Sequence, residues 1–332
     1  MNEPDGSLPT IAVTGACGFV GANVVLHLAQ RGHRVIACDR DPPPDPLRQT
    51  CSRYADKIHW LELDVTVADA WHALDGEAVE MLIHGAALTP GNPDPSPELT
   101  TRVNVLGTVS ALEHARDRGY KRFVLISSSG VYGAGQTPAP MPEIETPESQ
   151  NSYAASKLAA EQYVSLYRRS FGLDACSVRL AGVYGPWERP TGARRRMSSI
   201  FTLATAAIGR RPVRVAGMSI GRDWIYAPDV AAGVAHLATQ PTLSHDLFNL
   251  GSGTRTTLEQ IVRILQKVVP GVAIETSPAE QADVAYEADD ERSALDVTRI
   301  RAAGFEAATD AETGLRGYLE WLDGEGRFLL RA

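Results

Sequence analysis

The sequence lacks the features that mark membrane proteins, disulfide-rich proteins and nucleic-acid-binding proteins. It has no run of eighteen apolar residues, so it predicts no membrane-spanning helix. Its four cysteines (Cys17, Cys38, Cys51 and Cys176) show no metal-ligand spacing, and the turn or strand contexts of all but Cys51 suggest buried, reduced thiols. Acidic residues outnumber basic ones by 40 to 32, and the net charge of −8 argues against a surface for nucleic acid or acidic membranes.

Signals for export, internal repeats and low-complexity segments are missing as well. Residues 1–7 include no cationic segment followed by an apolar one, so we expect a cytoplasmic protein. The 332 residues are enough for one large α/β domain with a smaller lobe. Apolar residues make up 44% and charged residues 22%, which is ordinary for a soluble globular protein.

A glycine-rich turn near the amino terminus indicates a dinucleotide site. The apolar run that starts at residue 10 breaks into glycines at positions 15, 18 and 21 and continues as a helical pattern. Gly15 permits a sharp turn, Gly18 leaves the backbone amides open to a pyrophosphate, and Gly21 allows the helix to pack closely on the strand. The glycines alone fit an ordinary turn at the start of a helix equally well, so the prediction depends on the next strand of the chain.

A carboxylate at the end of the second predicted strand supports the dinucleotide site. Asp39 lies eighteen residues after the last glycine, where the adenosine ribose of a dinucleotide is expected. It would accept hydrogen bonds from the ribose hydroxyls and repel a 2′-phosphate, which favours NAD, whereas the adjacent Arg40 leaves NADP open. Asp64 follows the third predicted strand and could reach the adenine amino group, with capping of the helix start near Thr66 as the alternative.

Strand and helix patterns alternate along the chain. Apolar strand segments are predicted within residues 10–14, 33–39, 58–63, 81–87, 121–129 and 173–180. The alternation predicts an α/β fold with a Rossmann-type doubly wound parallel sheet, whose ligands bind at the carboxyl ends of the strands. We predict an NAD-binding domain over residues 8–182, to which 222–250 return, and a smaller carboxyl-terminal substrate-binding lobe formed by 183–221 and 251–330.

Tyr153 and Lys157 are four residues apart in a helical pattern, which puts a phenol and an ammonium on one helix face. A free tyrosine ionises near pH ~10, and a neighbouring cation such as Lys157 favours the phenolate. This spacing is common by chance, so alone it indicates nothing. Beside a dinucleotide site it predicts an acid–base pair for oxidation of an alcohol, in which a base removes the hydroxyl proton as hydride leaves the carbon.

Several motifs occur in the order that one enzyme family shows. They are Thr14-Gly-Ala-Cys-Gly-Phe-Val-Gly, Ser127-Ser-Ser-Gly-Val-Tyr-Gly, Tyr153-Ala-Ala-Ser-Lys157, Arg179-Leu-Ala-Gly-Val-Tyr-Gly-Pro, Arg222-Asp-Trp-Ile-Tyr-Ala-Pro-Asp-Val-Ala and Asn249-Leu-Gly-Ser-Gly. With them the chain resembles, over nearly its whole length, the extended short-chain dehydrogenase/reductase family. That group contains NAD-dependent sugar epimerases, dehydratases and dehydrogenases.

The resemblance implies a catalytic role for three residues. Tyr153 would be the general acid/base, and Lys157 would bind the nicotinamide ribose and lower the pKa of the tyrosine. One serine of the fifth strand would hold the reacting oxygen. We choose Ser128 over Ser127 and Ser129, because Ser128 stands three residues before the Val-Tyr-Gly element and twenty-five before Tyr153.

The resemblance also implies contacts to cofactor and substrate, and no metal. Expected cofactor contacts are Gly15, Cys17, Gly18, Phe19, Val20, Gly21, Asp39, Arg40, Asp64, Val65, Ala86, Ala87, Asn104, Ile126, Tyr153, Lys157 and Val183. Expected substrate contacts include Thr89, Ser129, Gly130 and Arg222, of which Arg222 matches the family's first phosphate-contacting arginine. For Asn104 the alternative is a hydrogen bond to a helix backbone group.

The sequence departs from the family pattern in the region that sets specificity. Family members that act on nucleotide diphosphate sugars usually have an asparagine where this chain has Gly182. A later arginine that helps to bind the diphosphate is not evident in residues 281–290. The dehydratase branch tends to have Thr-Asp-Glu before Val-Tyr-Gly, and Ser128-Ser129-Gly130 provides neither carboxylate, so dehydration is disfavoured.

Three consecutive arginines, Arg194, Arg195 and Arg196, precede a helix predicted from about residue 198 to residue 208. Cations at a helix start are unfavourable unless an anion is near. We hypothesise that one of them binds a carboxylate, sulfonate or phosphate of the substrate. A solvated basic loop and an oligomer contact are the alternatives.

Epimerisation of a sugar or nucleotide sugar with NAD, within carbohydrate metabolism, is the predicted function. An NAD-dependent dehydrogenase of a free sugar or sugar acid is the alternative, and a non-catalytic NAD(P)-binding sensor is less favoured because Ser128, Tyr153 and Lys157 are all present. A homodimer is expected through helices 98–116 and 152–169, whose candidate exposed residues are Leu99, Val103, Tyr163 and Leu166.

Overall fold

The computed structural model describes residues 8–91, 94–133 and 139–330. Its strands are β1 (Ile11–Thr14), β2 (Val35–Asp39), β3 (Ile58–Glu62), β4 (Met81–His84), β5 (Arg122–Ser128), β6 (Ala175–Leu180), β7 (Gly182–Tyr184), β8 (Val213–Ala216), β9 (Gly221–Tyr226), β10 (Leu247–Leu250), β11 (Arg255–Thr257), β12 (Ile274–Thr276) and β13 (Val284–Ala285). Its α-helices are α1 (Phe19–Gln30), α2 (Asp45–Cys51), α3 (Pro97–Thr101), α4 (Gly107–Asp117), α5 (Ser152–Phe171), α6 (Ser199–Ile208), α7 (Ala227–Thr239), α8 (Leu258–Val268), α9 (Thr298–Ala302) and α10 (Ala311–Asp323).

Seven strands form one parallel sheet in the order β10-β6-β5-β4-β1-β2-β3. Strand order reverses beside β1, because β2 and β3 extend the sheet on one side and β4, β5 and β6 extend it on the other. In doubly wound sheets the ligand crevice lies at this reversal, outside the carboxyl ends of the strands. The predicted α/β class with a Rossmann-type parallel sheet is therefore confirmed.

Both faces of the sheet are covered by helices, because the strands alternate between two cores. Ile11 and Val13 of β1 belong to a core with α1 and α7, whereas Ala12 between them belongs to a core with α4 and α5. Strands buried on both faces are nearly continuously apolar, as the first two predicted strands are. The sheet edge that carries the loops after β1, β2, β4 and β5 is thus held rigidly from two sides.

Helix α5 begins and ends at residues with clear capping roles. The side chain of Asn151 accepts a hydrogen bond from the Ala154 backbone N–H, which satisfies one donor of the first turn. Gly172 ends the helix in the left-handed conformation. Tyr153 is therefore fixed in the first turn of a capped helix of 20 residues.

The predicted helix over residues 98–116 is interrupted. A π-helical turn, Arg102–Leu106, separates α3 from α4. A Cβ at Gly107 would lie 2.8 Å from Cγ2 of Val65, so the helix passes close to the loop after β3 at this point. The extra residue of the π turn turns the side chain of Asn104 into the interior. Val103, expected on an exposed face, instead packs against the core beneath α4 and α5.

A second group of elements adjoins the main sheet. Strands β7, β9 and β11 form one small sheet, and β8, β12 and β13 form another. Helices α6, α8 and α10 pack with these strands around a separate apolar core that includes Leu203, Leu265 and Leu319. Helix α7 and β10 belong to the main domain by their packing on α1 and their pairing with β6.

No helix in residues 8–91, 94–133 and 139–330 is long and apolar enough to cross a membrane. All four cysteines are buried and unpaired by disulfides. Within the same ranges no group of three or more His, Cys, Asp or Glu side chains could hold a metal ion. Residues 1–7, on which the prediction about export signals depends, lie outside the described residues.

Candidate active site

Ser128 and Tyr153 meet in a pocket at the carboxyl end of β5. Ser128 is the last residue of β5 and accepts a hydrogen bond from the Gly130 N–H at 3.1 Å, which begins the 3₁₀ turn Ser129–Tyr132. Both side chains line a cavity of about 270 Å³, as do Ser129 and Gly130. The structure thus brings together the predicted catalytic tyrosine, its serine and two predicted substrate contacts.

Burial raises the pKa of the Tyr153 hydroxyl, while a hydrogen bond from Ser128 and the positive charge of Arg194 lower it. The cation that acts on the phenol is thus an arginine from a distant loop. Lys157, the predicted source of this charge, directs its ammonium to a backbone carbonyl, and its effect on the phenol stays a prediction.

Lys157 is buried under the active-site turn, where its Nζ donates to the Ile126 carbonyl at 2.8 Å. Burial lowers the pKa of the ammonium to about 8, and the negative charge of Glu161 opposes the change. Ile126, a predicted cofactor contact, is therefore the residue that positions the lysine. Because Ile126 is in β5 and Lys157 in α5, the bond joins the catalytic helix to the catalytic strand.

Ser127 does not face the pocket. Its Oγ donates to Oε1 of Glu161. Arg179 binds the same carboxylate, with Nε donating to Oε1 at 3.0 Å and Nη2 to Oε2 at 2.7 Å. Arg179 and Glu161 are 3% and 5% exposed, so this is a fully buried ion pair. The guanidinium of Arg179 also lies over the Tyr132 ring, 4.5 Å from the ring centroid. The choice of Ser128 over Ser127 as the serine of the pocket agrees with this geometry.

The glycine-rich turn has the geometry that the sequence predicts. Gly15 has φ of +69°, and a Cβ at Gly21 would lie 2.0 Å from the Gly15 carbonyl oxygen, so the helix packs directly on the turn. Gly18 is the N-cap of α1 and provides no side-chain hydrogen bond to the first turn. The amides of Phe19 and Val20 are thus available to an anion.

Asp39 and Arg40 lie beside this turn. Asp39 accepts a hydrogen bond from the Cys17 N–H at 2.8 Å, and burial raises the pKa of its carboxyl group. Arg40 is exposed and forms an ion pair with Asp41 at 3.0 Å. Asp64 accepts hydrogen bonds from the backbone N–H and the hydroxyl of Thr66. The helix-capping alternative is wrong, because the next helix begins at Ala68 and its N-cap is Val67.

The loop after β4 passes Gly15 closely. A Cβ at Gly15 would lie 2.8 Å from the Ala86 nitrogen, and Ala86 and Ala87 are half-buried at this point. Asn104 holds the next part of the loop, since its side chain bonds both backbone groups of Leu88. Its second amide hydrogen goes to the Ser156 hydroxyl, so both amide hydrogens are used. Neither bond goes to the backbone of a helix, so the side chain has a structural role other than the alternative given above.

Of three other predicted contacts, two have packing roles and the third forms hydrogen bonds between loops. Val65 is buried against Gly107, and Val183 in β7 is half-buried against the core of α1 and α7. Thr89 donates from its backbone and from its hydroxyl to the Ala193 carbonyl, both at 3.0 Å. Thr89 thereby attaches the loop after β4 to the arginine-rich segment.

The three consecutive arginines have different environments. Arg194 forms an ion pair with buried Glu188 at 2.5 Å and lies over the Phe19 ring, 5.2 Å from the centroid. Arg195 and Arg196 are exposed. Only Arg194 therefore contacts the predicted cofactor turn, and the predicted substrate role of these arginines stays a hypothesis.

Arg222 lines the active-site pocket, as predicted, together with Arg292, which the sequence reasoning missed. Arg222 forms an ion pair with Asp290 and lies over the Tyr286 ring. Its Nε is buried with no hydrogen-bond partner among the described residues. Arg292 donates to the carbonyls of Asp289 and Glu291. A second pocket arginine thus lies two residues beyond the stretch 281–290, where none was evident.

Arg189 is the other functional candidate that the sequence reasoning missed. Its Nη2 donates to the Cys17 carbonyl at 2.7 Å, and its Nη1 is buried without a hydrogen-bond partner in the described part of the chain. The signal available in the sequence was only its place in the arginine-rich stretch after the Gly185-Pro186 turn.

Comparison with known proteins agrees with the fold and with the order of these elements. A model of the NAD dependent epimerase/dehydratase family matches residues 11–251. UDP-glucose 4-epimerase of Mycolicibacterium smegmatis is 32% identical over 294 residues, which are 87% of this chain and 90% of that protein. UDP-glucuronate 4-epimerase of Thermodesulfobacterium geofontis is 29% identical over 266 residues, 77% of this chain and 80% of that protein.

Solved structures show the same architecture. The crystal structure of Thermus thermophilus UDP-glucose 4-epimerase in complex with NAD superimposes with a TM-score of 0.79 at 26% identity, covering 95% of this chain and 99% of that one. The family match spans the seven strands of the main sheet, the glycine-rich turn and the Ser128–Tyr153–Lys157 group described above. The chain therefore belongs to the NAD dependent epimerase/dehydratase family.

Proposed function

We propose that this protein is an NAD-dependent epimerase of a nucleoside-diphosphate sugar. The observation that carries the proposal is one pocket lined both by the Ser128–Tyr153 pair and by two arginines, Arg222 and Arg292. The pair provides acid–base chemistry at a sugar hydroxyl, and the arginines provide positive charge for a diphosphate. The names of the relatives in Mycolicibacterium smegmatis and Thermodesulfobacterium geofontis support the same substrate class.

The residues around the glycine-rich turn fit NAD. The first turn of α1 has no capping side chain, which leaves amides for a pyrophosphate, and Asp39 provides a carboxylate for ribose hydroxyls. NAD, when bound, supplies a hydride acceptor that also returns the hydride. The backbone of Gly85 and Ala86, close to Gly15, leaves little room for side chains along the cofactor crevice.

The catalytic residues would move and hold one proton at the sugar oxygen. Tyr153 removes the hydroxyl proton and later returns it, and its hydrogen bond with Ser128 keeps the phenol oriented toward the pocket. Ser128 stabilises the oxygen as its charge changes. Lys157, fixed by the Ile126 carbonyl, places its ammonium beneath the site where the nicotinamide ribose would lie.

The arginine pair would hold the diphosphate while the sugar changes its orientation. Arg222 has an unsatisfied buried Nε, so an acceptor on the substrate would remove the cost of burying that group. Asp223 beside it is buried and accepts hydrogen bonds from the backbone of Ser252, Gly253 and Leu295, which fixes the strand that carries Arg222. Arg222 is paired with Asp290, whereas Arg292 donates to two backbone carbonyls, so the charge of Arg292 can attract a diphosphate.

A substrate panel tests the function. UDP-glucose, UDP-glucuronate and the corresponding free sugars are incubated with the protein and NAD, and the products are separated by chromatography while reduced nicotinamide is followed by absorbance. We expect conversion of a nucleotide sugar to its epimer with no net NADH. Stoichiometric NADH formation, or turnover of free sugars alone, would contradict the proposal.

One observation favours an NAD-dependent dehydrogenase of a free sugar or sugar acid as a second candidate. A Cβ at Gly182 would lie 2.8 Å from Cε3 of Trp224 and 3.0 Å from the Asp223 carbonyl oxygen. The indole therefore fills the space that the usual asparagine side chain would need. Growth of the reduced-nicotinamide absorbance with a free sugar acid distinguishes this candidate in the same panel.

We also propose a cytoplasmic homodimer within carbohydrate metabolism, with the division into a cofactor domain and a substrate lobe that the sequence predicts. Leu99 and Leu106 before α4, and Tyr163 and Leu166 on α5, are 46%, 56%, 38% and 40% exposed. Apolar side chains this exposed on neighbouring helices support a helix-to-helix interface. Light scattering is expected to give a dimer for the natural protein and a monomer for Leu166→Lys.

A further inference from the structure

A loop between β7 and α6, residues 188–198, closes on itself around one buried carboxylate. We name it the strap. Glu188 is fully buried and accepts hydrogen bonds from the backbone and hydroxyl of Ser198, each at 2.7 Å, and from Nη2 of Arg194. Both ends of the strap are therefore tied together at α6, which restricts the conformations of the residues between them.

The strap contacts the loops that follow three adjacent strands of the main sheet. The Ala193 carbonyl accepts both hydrogen bonds of Thr89 after β4, and Arg189 binds the Cys17 carbonyl after β1. A Cβ at Gly192 would lie 3.8 Å from Nη2 of Arg40, after β2. Since the sheet order is β4-β1-β2, the strap crosses the crevice at the switch point.

Two strap arginines bring unsatisfied donors to this crevice. Arg189 has no carboxylate partner in the described ranges, and its Nη1 is buried without a hydrogen bond. The Nε of Arg194 is buried and unsatisfied too, while its guanidinium lies over Phe19, the first residue of α1. Arg194 is already paired with Glu188, whereas a partly buried guanidinium without an anion, as at Arg189, is costly. The unsatisfied planar donors of both arginines suit the oxygens of a phosphate.

The positions of the two side chains differ along the crevice. Arg189 is next to the turn at Cys17 and is attracted by the negative charge of Asp39, at the end where the adenosine ribose is expected. Arg194 acts on Tyr153, at the end where the chemistry occurs. Between them is the uncapped start of α1, which favours an anion at the same place.

We propose that Arg189 and Arg194 bind the pyrophosphate of the dinucleotide beside the glycine-rich turn, and that the strap holds the cofactor in the crevice. The inference rests on NAD binding in the proposed function but not on the identity of the sugar. It assigns Arg194 to the cofactor in place of the substrate anion.

Binding measurements with the full chain test this inference. The dissociation constants of NAD and of ADP-ribose are measured by isothermal titration calorimetry for the natural protein and for Arg189→Gln, Arg189→Lys and Arg194→Gln. Arg195→Gln is the control, because it removes an exposed arginine of the same strap. Melting temperatures without ligand show whether each variant is folded.

We expect each glutamine variant to bind NAD and ADP-ribose at least about tenfold more weakly, which is about 1.4 kcal/mol, while the control is unchanged. Arg189→Lys should keep part of the affinity, and raised salt should weaken binding less in the glutamine variants than in the natural protein. Folded glutamine variants that bind both ligands within twofold of the natural protein would overturn the inference.

The outcome for the natural protein separates this inference from the proposed function. If the natural protein binds neither NAD nor ADP-ribose, both fall together. If it binds NAD and the glutamine variants are unaffected, only the role of the strap falls. If the variants lose the cofactor and the natural protein, with NAD bound, epimerises no nucleotide sugar, the role of the strap is supported and the proposed substrate is wrong.

Discussion

The positive charge of Arg194 lowers the pKa of the Tyr153 hydroxyl, although the two residues are far apart in the sequence. Arg194 is in the strap and Tyr153 in the first turn of α5. If Tyr153 is the base, as proposed, its pKa would depend on whether the strap is in place. A single loop would couple cofactor retention to proton transfer.

Replacing Arg194 is expected to move the pH profile. Without this cation the pKa of Tyr153 rises, so the limb of kcat that requires the phenolate shifts to higher pH in Arg194→Gln, measured at saturating NAD. Arg169→Gln, an exposed arginine of α5, should leave the profile in place. An unshifted profile in Arg194→Gln would contradict this electrostatic role.

Removing the phenol should remove catalysis without unfolding the protein. Tyr153→Phe keeps the ring but lacks the proton-transferring oxygen, so we expect kcat to fall by about 10²–10⁴-fold with little change in melting temperature. Tyr163→Phe on the exposed face of the same helix is the matched control and should retain full activity. Activity of Tyr153→Phe near that of the control would exclude the tyrosine as the acid/base.

Arg292 should contribute to substrate binding. It lines the pocket with Arg222, so Arg292→Gln is expected to raise KM for a nucleotide sugar by about tenfold with a smaller effect on kcat. Arg263→Gln removes a surface arginine of α8 that pairs only with Glu259 in the described structure and serves as the control. Equal KM values in the two variants would show that Arg292 does not contact the substrate.

His84 should make the protein less stable in acid. It is buried in β4, its Nδ1 bonds Thr14 at 2.8 Å, and burial lowers its pKa from 6.5 to about 3. Between pH 6.5 and about pH 3, His84 is protonated in the unfolded chain but neutral in the folded protein. This residue's contribution to the free energy of unfolding is therefore complete above pH 6.5 and falls as pH decreases toward 3, by about 1.4 kcal/mol per unit.

The variant His84→Asn separates this effect from other acid-sensitive groups. It loses the titration, so the pH slope of its unfolding free energy, measured in urea between pH 6.5 and about pH 4, should be smaller than in the natural protein even if its stability near neutral pH is lower. Equal slopes would show that protonation of His84 does not limit acid stability.

Glycine at position 21 should be required for stability. A Cβ there would lie 2.0 Å from the Gly15 carbonyl oxygen, so Gly21→Ala must separate helix from turn, which we expect to cost about 2 kcal/mol or more. Gly76→Ala is the matched control, because no atom lies within 4 Å of its added Cβ. Urea unfolding of both variants measures the difference, and a tolerated Gly21→Ala would contradict the close packing.

Local patterns were enough to predict the sheet, because hydrophobic period and glycine spacing are read within a few residues of each other, whereas the choice of Ser128 as the partner of Tyr153 rested on the family resemblance. Contacts between residues far apart in the sequence could not be predicted in this way. That Asn104 binds Leu88 and Ser156 depends on a π turn, which has no simple sequence signature. Arg189 meets Cys17 only because the strap folds back over the sheet. The sequence separation of 172 residues gives no hint of this contact.

Neighbouring serines on β5 illustrate what the alternation of a strand does for this enzyme. Ser127 points to the buried Glu161–Arg179 pair, while Ser128 points to the pocket. Substitutions at these two neighbouring positions should therefore have different effects. Substitution of Ser127 should reduce the amount of folded protein, whereas substitution of Ser128 should give folded protein that lacks activity. Engineers who wish to alter the reaction can vary one position while leaving its neighbour untouched.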